Sequence, residues 1–337
     1  MQKMSTDLIP LKLDGPVMGT RWHADLGIPS GTDISALEAA LAASVTQVDM
    51  QMSTWKPDSD LMRFNAGPVG EWLHLPADMM QVLSRGVEIG RASDGAFDMG
   101  LGDLVNAWGF GPDAPDAAAI RTRLGCAHPP THEILELDTK NQRARKLAPL
   151  ALDLSGIAKG YGVDQMKKVC DDFEISSALV ALDGELRSKG KQPDGSSWTV
   201  AIEKPVYGVR LPLSLLELED AAIATSGDYR HWVEVNRTRF SHTMDRTRGG
   251  PVQPGIAAVS VVASDCMTAD AMATAILVLG VKNGNAFAQK SGVDCLILER
   301  TAFGLKDYGI GPLFTAGQHL GSGPSQINPE RKQSRNC

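Results

Sequence analysis

Two oxygen-bearing side chains spaced four residues apart offer the clearest chemistry in this sequence. Asp270 and Thr274 lie in the segment Thr268-Ala-Asp-Ala-Met-Ala-Thr274, and residues with this spacing project from one face of a helix. A carboxylate and a hydroxyl are hard oxygen donors of the kind that Mg²⁺ prefers. The pattern also fits a structural role, in which Asp270 interacts with the helix dipole and Thr274 packs against the preceding turn. The spacing predicts a shared helical face and leaves both roles open.

A second candidate is the turn from Asp153 to Lys159, which reads Asp-Leu-Ser-Gly-Ile-Ala-Lys. It places a carboxylate and an ammonium around Ser155 and Gly156, where a strand is predicted to pass into a helix. Small residues let a ligand approach backbone N–H groups, so this turn can hold a pyrophosphate. An ordinary strand end followed by a solvated lysine is the alternative.

Two ring side chains also attract attention. His242 stands three residues before Asp245, so it is either an oriented general base or a plain loop histidine. Trp55 follows a predicted helix in a polar turn. There an aromatic ring can stack on a planar ligand or simply cover the edge of a subdomain.

The composition excludes several classes of function. The 337 residues carry a formal net charge of −7, and Lys and Arg are scattered, so nucleic acid is not an expected partner. The sequence contains no P-loop, no complete dinucleotide fingerprint, no Gly-x-Ser-x-Gly elbow and no His-Glu-x-x-His helix. The longest nearly uninterrupted apolar stretch, Ala271 to Leu279, is shorter than the roughly 20 residues that span a bilayer. No transmembrane segment is therefore expected.

The N-terminal residues and the cysteines favour an intracellular protein. The first ten residues lack a basic region followed by an apolar run, so no export signal is expected in the chain as written. The cysteines are widely separated and predict neither a zinc site nor a disulfide framework. They are Cys126, Cys170, Cys266, Cys295 and Cys337.

Hydrophobic periodicity predicts the elements that must position these residues. Helices are expected over about 35–50, 77–91, 157–172 and 267–279, the first entered through a capping box at Ser35 and the last ending at Gly280. Short β-type runs separated by Asp-Gly, Pro and Gly turns follow Ser177 and favour antiparallel pairing. They are 179–182, 198–202, 215–220, 231–235, 257–262 and 295–298.

These pieces together resemble the FAD:protein FMN transferases, which are also called ApbE-type flavin transferases. The resemblance runs in order from about Gly15 to Asp294. Its motifs are Met18-Gly-Thr20, Met52-Ser-Thr-Trp-Lys-Pro-Asp-Ser-Asp-Leu-Met-Arg-Phe-Asn65, Asp94-Gly-Ala-Phe-Asp98, Asp153-Leu-Ser-Gly-Ile-Ala-Lys-Gly-Tyr-Gly-Val-Asp164, Thr225-Ser-Gly-Asp-Tyr229 and Ala269-Asp-Ala-Met-Ala-Thr-Ala275.

The resemblance implies an α+β fold in which antiparallel sheets pack with helices in two interleaved subdomains. We predict one flavin transferase domain over residues 15–320, an N-terminal extension over 1–14 and a flexible tail over 321–337. FAD and Mg²⁺ are expected at the junction of the subdomains.

The resemblance also implies roles for individual residues. Mg²⁺ would be held by the Asp270 carboxylate, the Thr274 hydroxyl and the backbone carbonyl of Gly156, and His242 with Asp245 would deprotonate the acceptor hydroxyl. The residues implied to line the FAD site are Met18, Trp55, Ala96, Phe97, Asp98, Asp153 and Lys159.

The implied reaction is Mg²⁺-dependent transfer of FMN from FAD to a threonine or serine hydroxyl of an acceptor flavoprotein, with release of AMP. The family motif His-x-x-Asp-Pro-x-Thr-Gly is altered here, because Arg246 and Arg248 replace the proline and the threonine. Asp183-Gly-Glu185 likewise departs from the usual glycine pair. The alternatives are therefore an Mg²⁺-dependent FAD pyrophosphatase that forms FMN and AMP, and an FAD-binding maturation factor without catalysis.

The same resemblance bears on localisation, because the family is typically exported. The sequence as written predicts a cytoplasmic protein, since only 14 residues precede Gly15 and they form no signal. A periplasmic protein or an inner-membrane lipoprotein is the alternative if a signal has been trimmed.

Overall fold

A computed structural model describes residues 8–230, 232–235 and 238–315. Most of the predicted N-terminal extension, residues 316–320 of the predicted domain and the predicted tail over 321–337 lie outside the described residues. The helices are α1 (Ile34–Met52), α2 (Asp60–Ala66), α3 (Ala77–Ala92), α4 (Gly102–Ala107), α5 (Ala117–Arg123), α6 (Thr131–Ile134), α7 (Ala158–Asp172), α8 (Cys266–Ser291) and α9 (Pro312–Thr315).

The strands follow the antiparallel pattern that the turn residues predict. They are β1 (Ile9–Val17), β2 (Thr20–Ile28), β3 (Leu73–His74), β4 (Leu135–Asp138), β5 (Arg143–Lys146), β6 (Ser177–Leu182), β7 (Glu185–Lys189), β8 (Trp198–Glu203), β9 (Pro212–Leu218), β10 (Ala222–Gly227), β11 (Trp232–Val235), β12 (Thr238–Ser241), β13 (Met244–Asp245), β14 (Gly250–Pro251), β15 (Ile256–Ala263), β16 (Asp294–Thr301) and β17 (Gly304–Ile310).

One large antiparallel sheet organises the described residues. Its strand order is β1-β2-β6-β7-β10-β15-β16-β17, and every neighbouring pair is antiparallel. Helices α7 and α8 pack together against this sheet, and α1 packs on α7. This architecture confirms the predicted α+β fold with antiparallel sheets and packed helices. The division into two interleaved subdomains stays a prediction.

The first hairpin was not expected from periodicity, although it carries the Met18-Gly-Thr20 motif. Val17 pairs with Thr20 across a two-residue turn, in which Met18 and Gly19 have φ of 48° and 70°. Positive φ at both central residues is typical of the tight turns that match the twist of a hairpin. The hairpin therefore fixes Met18 at the tip of the β1-β2 pair.

Helix α8 is longer than the sequence predicts. The first helical segment ends at Gly280, as predicted, because this residue leaves helical geometry with φ 76° and ψ 174°. A second helical segment, which was not predicted, follows at once and runs to Ser291. Apolar residues beyond the kink, among them Phe287 and Ala288, are buried and keep the second half packed. Among the described residues, α8 alone is long and apolar enough to cross a membrane by length and composition, yet it packs on β10, β15 and α7.

Smaller differences occur at the other helices. Asp33, not Ser35, is the N-cap of α1, because its carboxylate accepts a hydrogen bond from the Ala36 N–H at 3.0 Å. Helix α2 was not predicted. Seven residues are too few to show helical periodicity, but Ser59 caps this helix by accepting from the Met62 N–H.

Helices α7 and α8 lie in close contact at Gly160. A β-carbon there would lie 2.3 Å from the Cys266 carbonyl oxygen, whereas one at Gly162 would lie 3.3 Å from a flexible Leu182 methyl group. We expect Gly160→Ala to lower the free energy of unfolding by about 1–3 kcal/mol, since overpacking against backbone has no easy relief. Urea denaturation measures this, with Gly162→Ala as the matched control. Equal stability of the two variants would contradict the close helix contact.

Candidate active site

The predicted pair on α8 lies at the meeting point of two helices and the sheet. Asp270 is only 4% exposed, and its Oδ2 accepts a hydrogen bond from the Gly160 N–H of α7 at 3.0 Å. The Thr274 hydroxyl lies 3.0 Å from the Ser226 hydroxyl on β10. The prediction that Asp270 and Thr274 share one helical region is confirmed, and β10 supplies a third oxygen, from Ser226.

Gly156 lies directly beside Thr274, as the resemblance implies. A β-carbon on Gly156 would be 3.3 Å from Thr274 Oγ1 and 3.4 Å from Phe97 Cε2, so glycine leaves a cradle that any side chain would fill. Hydroxyl, carbonyl and carboxylate oxygens are the donors that suit Mg²⁺. Within the described residues, no group of three or more His, Cys, Asp or Glu side chains is placed to hold a metal ion. Asp270, Thr274 and Gly156 therefore suit a cation whose remaining coordinating oxygens come from a bound phosphate.

Lys159, in the first turn of α7, is held by acidic partners. Its Nζ donates to Glu185 Oε1 at 2.8 Å and lies 3.9 Å from Asp183 Oδ2. Glu185 is 2% exposed, and Asp183 forms the β6-β7 turn with φ of 55°. Buried ion pairs of this kind are stable only while both charges remain present. The Asp183-Gly-Glu185 departure from the family pattern therefore supplies the counter-charge of Lys159.

The pKa values of Asp270, Glu185 and Lys159 depend on one another's charges. Burial raises the pKa of Asp270 to about 7, and the Glu185 charge adds to this effect, while Lys159 and the Gly160 N–H oppose it. Burial likewise raises the pKa of Glu185 against the opposing Lys159 charge. Burial by itself would lower the pKa of Lys159, but the charges of Glu185 and Asp270 outweigh it and raise this pKa. The ammonium is charged at neutral pH, and a cation beside Asp270 would compete with a proton.

The loop after α3 brings three predicted residues to the same region. Phe97 is 4% exposed, and its side chain approaches Gly156. The carboxylate of Asp98 is almost fully buried and accepts from Gly100 N–H at 2.7 Å and from Thr131 N–H at 3.0 Å. Asp98 thus holds the loop together, while the half-buried Ala96 precedes it.

The three further predicted residues of the FAD site, Asp153, Met18 and Trp55, have different surroundings. Asp153 folds the turn before α7 by accepting from the Ser155 N–H at 2.8 Å. Met18 is half-buried and packs against buried apolar residues of the core. Trp55 leaves 65% of its surface exposed in the turn between α1 and α2, where its ring is free to meet a planar ligand.

The predicted base, His242, lies in the short connection between β12 and β13, and Asp245 is the last residue of β13. The His242 ring is 6.2 Å from the Phe110 ring in an edge-on arrangement. Asp245 Oδ1 accepts from the Thr247 N–H at 2.8 Å and from its hydroxyl at 2.7 Å, so one oxygen of this carboxylate shapes the turn between β13 and β14. A cavity of about 430 Å³, lined in part by Asp245, Leu277 and Glu299, opens beside it.

Neither periodicity nor the motifs singled out Ser226 or Glu185 as a residue of this site. Ser226 lies within the quoted Thr225-Ser-Gly-Asp-Tyr229 motif, and its hydroxyl contacts Thr274. Glu185 follows an Asp-Gly turn, and its carboxylate binds Lys159. No local pattern pointed to the second contact, because Lys159 and Glu185 are 26 positions apart in the chain.

The sequence of this chain matches known proteins over most of its length. The ApbE family matches residues 18–297. The FAD:protein FMN transferase of Vibrio cholerae is 36% identical over 299 residues, covering 88% of this chain and 89% of the relative. That of Haemophilus influenzae is 34% identical over 307 residues, covering 86% and 87%.

Solved structures agree with the sequence comparison. The flavin transferase ApbE from Vibrio cholerae matches with a TM-score of 0.80 and 33% identity, over 90% of this chain and 97% of that one. The apo form of the Pseudomonas stutzeri flavinyl transferase ApbE matches with a TM-score of 0.80 and 33% identity, over 92% and 98%. The chain therefore belongs to the ApbE family of flavin transferases.

Proposed function

We propose that this enzyme transfers FMN from FAD to a threonine or serine hydroxyl of an acceptor flavoprotein in an Mg²⁺-dependent reaction that releases AMP. The observation that carries the proposal is the convergence of Asp270, Thr274 and Gly156 beside the charged Lys159. The names of the relatives supply the substrates. The oxygen donors suit a cation, and that cation together with the Lys159 ammonium would supply the positive charge that a pyrophosphate requires.

In this proposal, Asp270, Thr274 and the Gly156 carbonyl hold Mg²⁺. When bound, the cation supplies positive charge that offsets the charge of the phosphoryl group. Lys159 adds its own positive charge, and Glu185 keeps that ammonium in place. Phe97 closes one side of the cradle. The protein thus contributes positioning and electrostatic stabilisation more than covalent chemistry.

We assign the proton transfer to His242, supported by Asp245. A ring nitrogen of His242 takes the proton from the acceptor hydroxyl, whose oxygen then forms a bond to the FMN-side phosphorus. The bond between that phosphorus and the bridging oxygen breaks, and AMP leaves with this oxygen. The turn set by Asp245 and Thr247 follows directly on the segment that carries His242.

The test is to incubate the purified protein with FAD and Mg²⁺, with and without an acceptor flavoprotein domain. We expect covalent flavin fluorescence on the acceptor together with an equal amount of AMP, and loss of both after chelation of the metal ion. Substitution of the acceptor threonine by alanine is the control for site specificity.

Two other results would contradict the proposal. AMP release that does not depend on an acceptor would identify an FAD pyrophosphatase. FAD binding without AMP under every acceptor condition would identify a binding factor that lacks catalysis.

A further inference from the structure

Arg246, which occupies the position of the usual family proline, connects segments that are far apart in the chain. It lies between β13 and β14, next to Asp245. Its Nη1 donates to the carbonyl oxygen of His128 at 2.8 Å, and its Nη2 donates to the carbonyl oxygen of Asp94 at 3.4 Å. Only 16% of its side chain is exposed. A planar guanidinium suits such a bridge because its donors point in fixed and divergent directions.

The guanidinium also lies directly on the loop of residues 94–98. A β-carbon on Gly95 would lie only 2.7 Å from Arg246 Nε, so glycine at this position makes room for the guanidinium. The same Nε is buried without a hydrogen-bond partner and faces Asp98 Oδ2 at 3.9 Å. The Asp98 carboxylate is buried. Among the described contacts of Asp98, Arg246 is the one that brings a positive charge.

Backbone contacts fix the other end of the connection. The His128 N–H donates to the Arg246 carbonyl oxygen at 3.0 Å, and the Gly125 N–H donates to the Arg248 carbonyl oxygen at 2.7 Å. The turn that follows Asp245 is therefore held against residues 125–128. Arg246 extends this attachment to the loop of residues 94–98 through its side chain.

We propose that Arg246 is a positioning residue that holds the loop of residues 94–98 in register with the segment of residues 242–245, which carries His242 and Asp245. The proposal rests on the proposed function, in which this loop lines the FAD site and the segment of residues 242–245 presents the base. One side chain would thereby set both FAD binding and the alignment of the acceptor hydroxyl. Loss of its bridge should affect both steps, because a small misplacement of reacting groups has a large effect on rate.

The test compares Arg246→Met and Arg246→Lys with the unchanged protein. FAD affinity is measured by flavin fluorescence without turnover, and kcat is measured from AMP release at saturating FAD and acceptor. We expect Arg246→Met to weaken FAD affinity about tenfold and to lower kcat about tenfold, as expected when charge-assisted hydrogen bonds and alignment are lost. Arg246→Lys should lie between, because it keeps the charge but cannot bridge two carbonyl oxygens.

The control variant is Arg123→Met, which removes an arginine near the same turn whose guanidinium pairs with Asp103 instead. It should keep FAD affinity and kcat within twofold of the unchanged protein. A purely structural role of Arg246 predicts a lower melting temperature with unchanged FAD affinity of the folded protein, and this result would overturn the proposal.

The remaining outcomes separate this proposal from the proposed function. A loss of FAD affinity without a loss of kcat, or the reverse, would show that Arg246 does not link the two segments. If Arg246→Met does not fold, the same criteria apply to Arg246→Lys. Failure of the unchanged protein to bind FAD would overturn the proposed function and this proposal with it.

Discussion

Asp270→Asn is expected to lower the rate of metal-dependent AMP release from FAD by about 100-fold or more, since the substitution removes the only carboxylate of the proposed cation site. The amide has nearly the same shape as the carboxylate and can still accept the Gly160 N–H, so the fold should persist. The measurement is AMP release as a function of Mg²⁺ concentration at saturating FAD and acceptor.

The matched control is Asp265→Asn, which changes a carboxylate five residues earlier on the same helix. Asp265 caps α8 by accepting from the Thr268 N–H at 2.8 Å, and asparagine caps helices equally well. This variant should keep its activity. Activity of Asp270→Asn within threefold of the unchanged protein, with the same dependence on Mg²⁺, would refute the assignment of Asp270 to the metal site.

Lys159→Met is expected to have the largest effect on stability, with a loss of about 3–5 kcal/mol in the free energy of unfolding. Glu185 is buried and relies on the Lys159 ammonium at 2.8 Å, so removal of that ammonium leaves a buried carboxylate without its counter-charge. Activity should also fall, because the same ammonium is proposed to act on the pyrophosphate. Urea denaturation and AMP release measure the two effects.

A double variant separates structure from chemistry at this pair. Lys159→Met combined with Glu185→Gln removes both charges and leaves a neutral amide, which is less costly to bury. We expect most of the stability to return while the transferase rate stays low. Recovery of activity together with stability would show that Lys159 acts only as the partner of Glu185.

Much of the fold could be anticipated from short-range patterns. The periodicity over residues 35–50 and 157–172 identified α1 and α7 almost to their ends, because burial of one helical face repeats every three to four residues. The β1-β2 hairpin and the short helix α2 escaped this approach. A turn of Met18 and Gly19 lacks the usual Asn-Gly or Asp-Gly signal, and seven residues of α2 show no periodicity.

In the candidate site, too, local patterns predicted some features and missed others. Asp270 and Thr274 could be paired from their spacing, and their helical relation depends on local backbone geometry alone. The contact between Asp270 and Gly160 spans 110 positions, and that between Ser226 and Thr274 spans 48. No local pattern encodes such contacts, since they form only when α7, α8 and β10 pack together.

Residue types, spacing and motif order were therefore sufficient to predict the fold class, the family and the side chains that are able to react or to bind a ligand. Packing decided how those side chains are used: Lys159 is held by Glu185, and Arg246 is held over Gly95. The reason is physical. Propensity and periodicity arise from neighbours in the chain, whereas charge pairing and burial depend on which distant segments exclude water from one another.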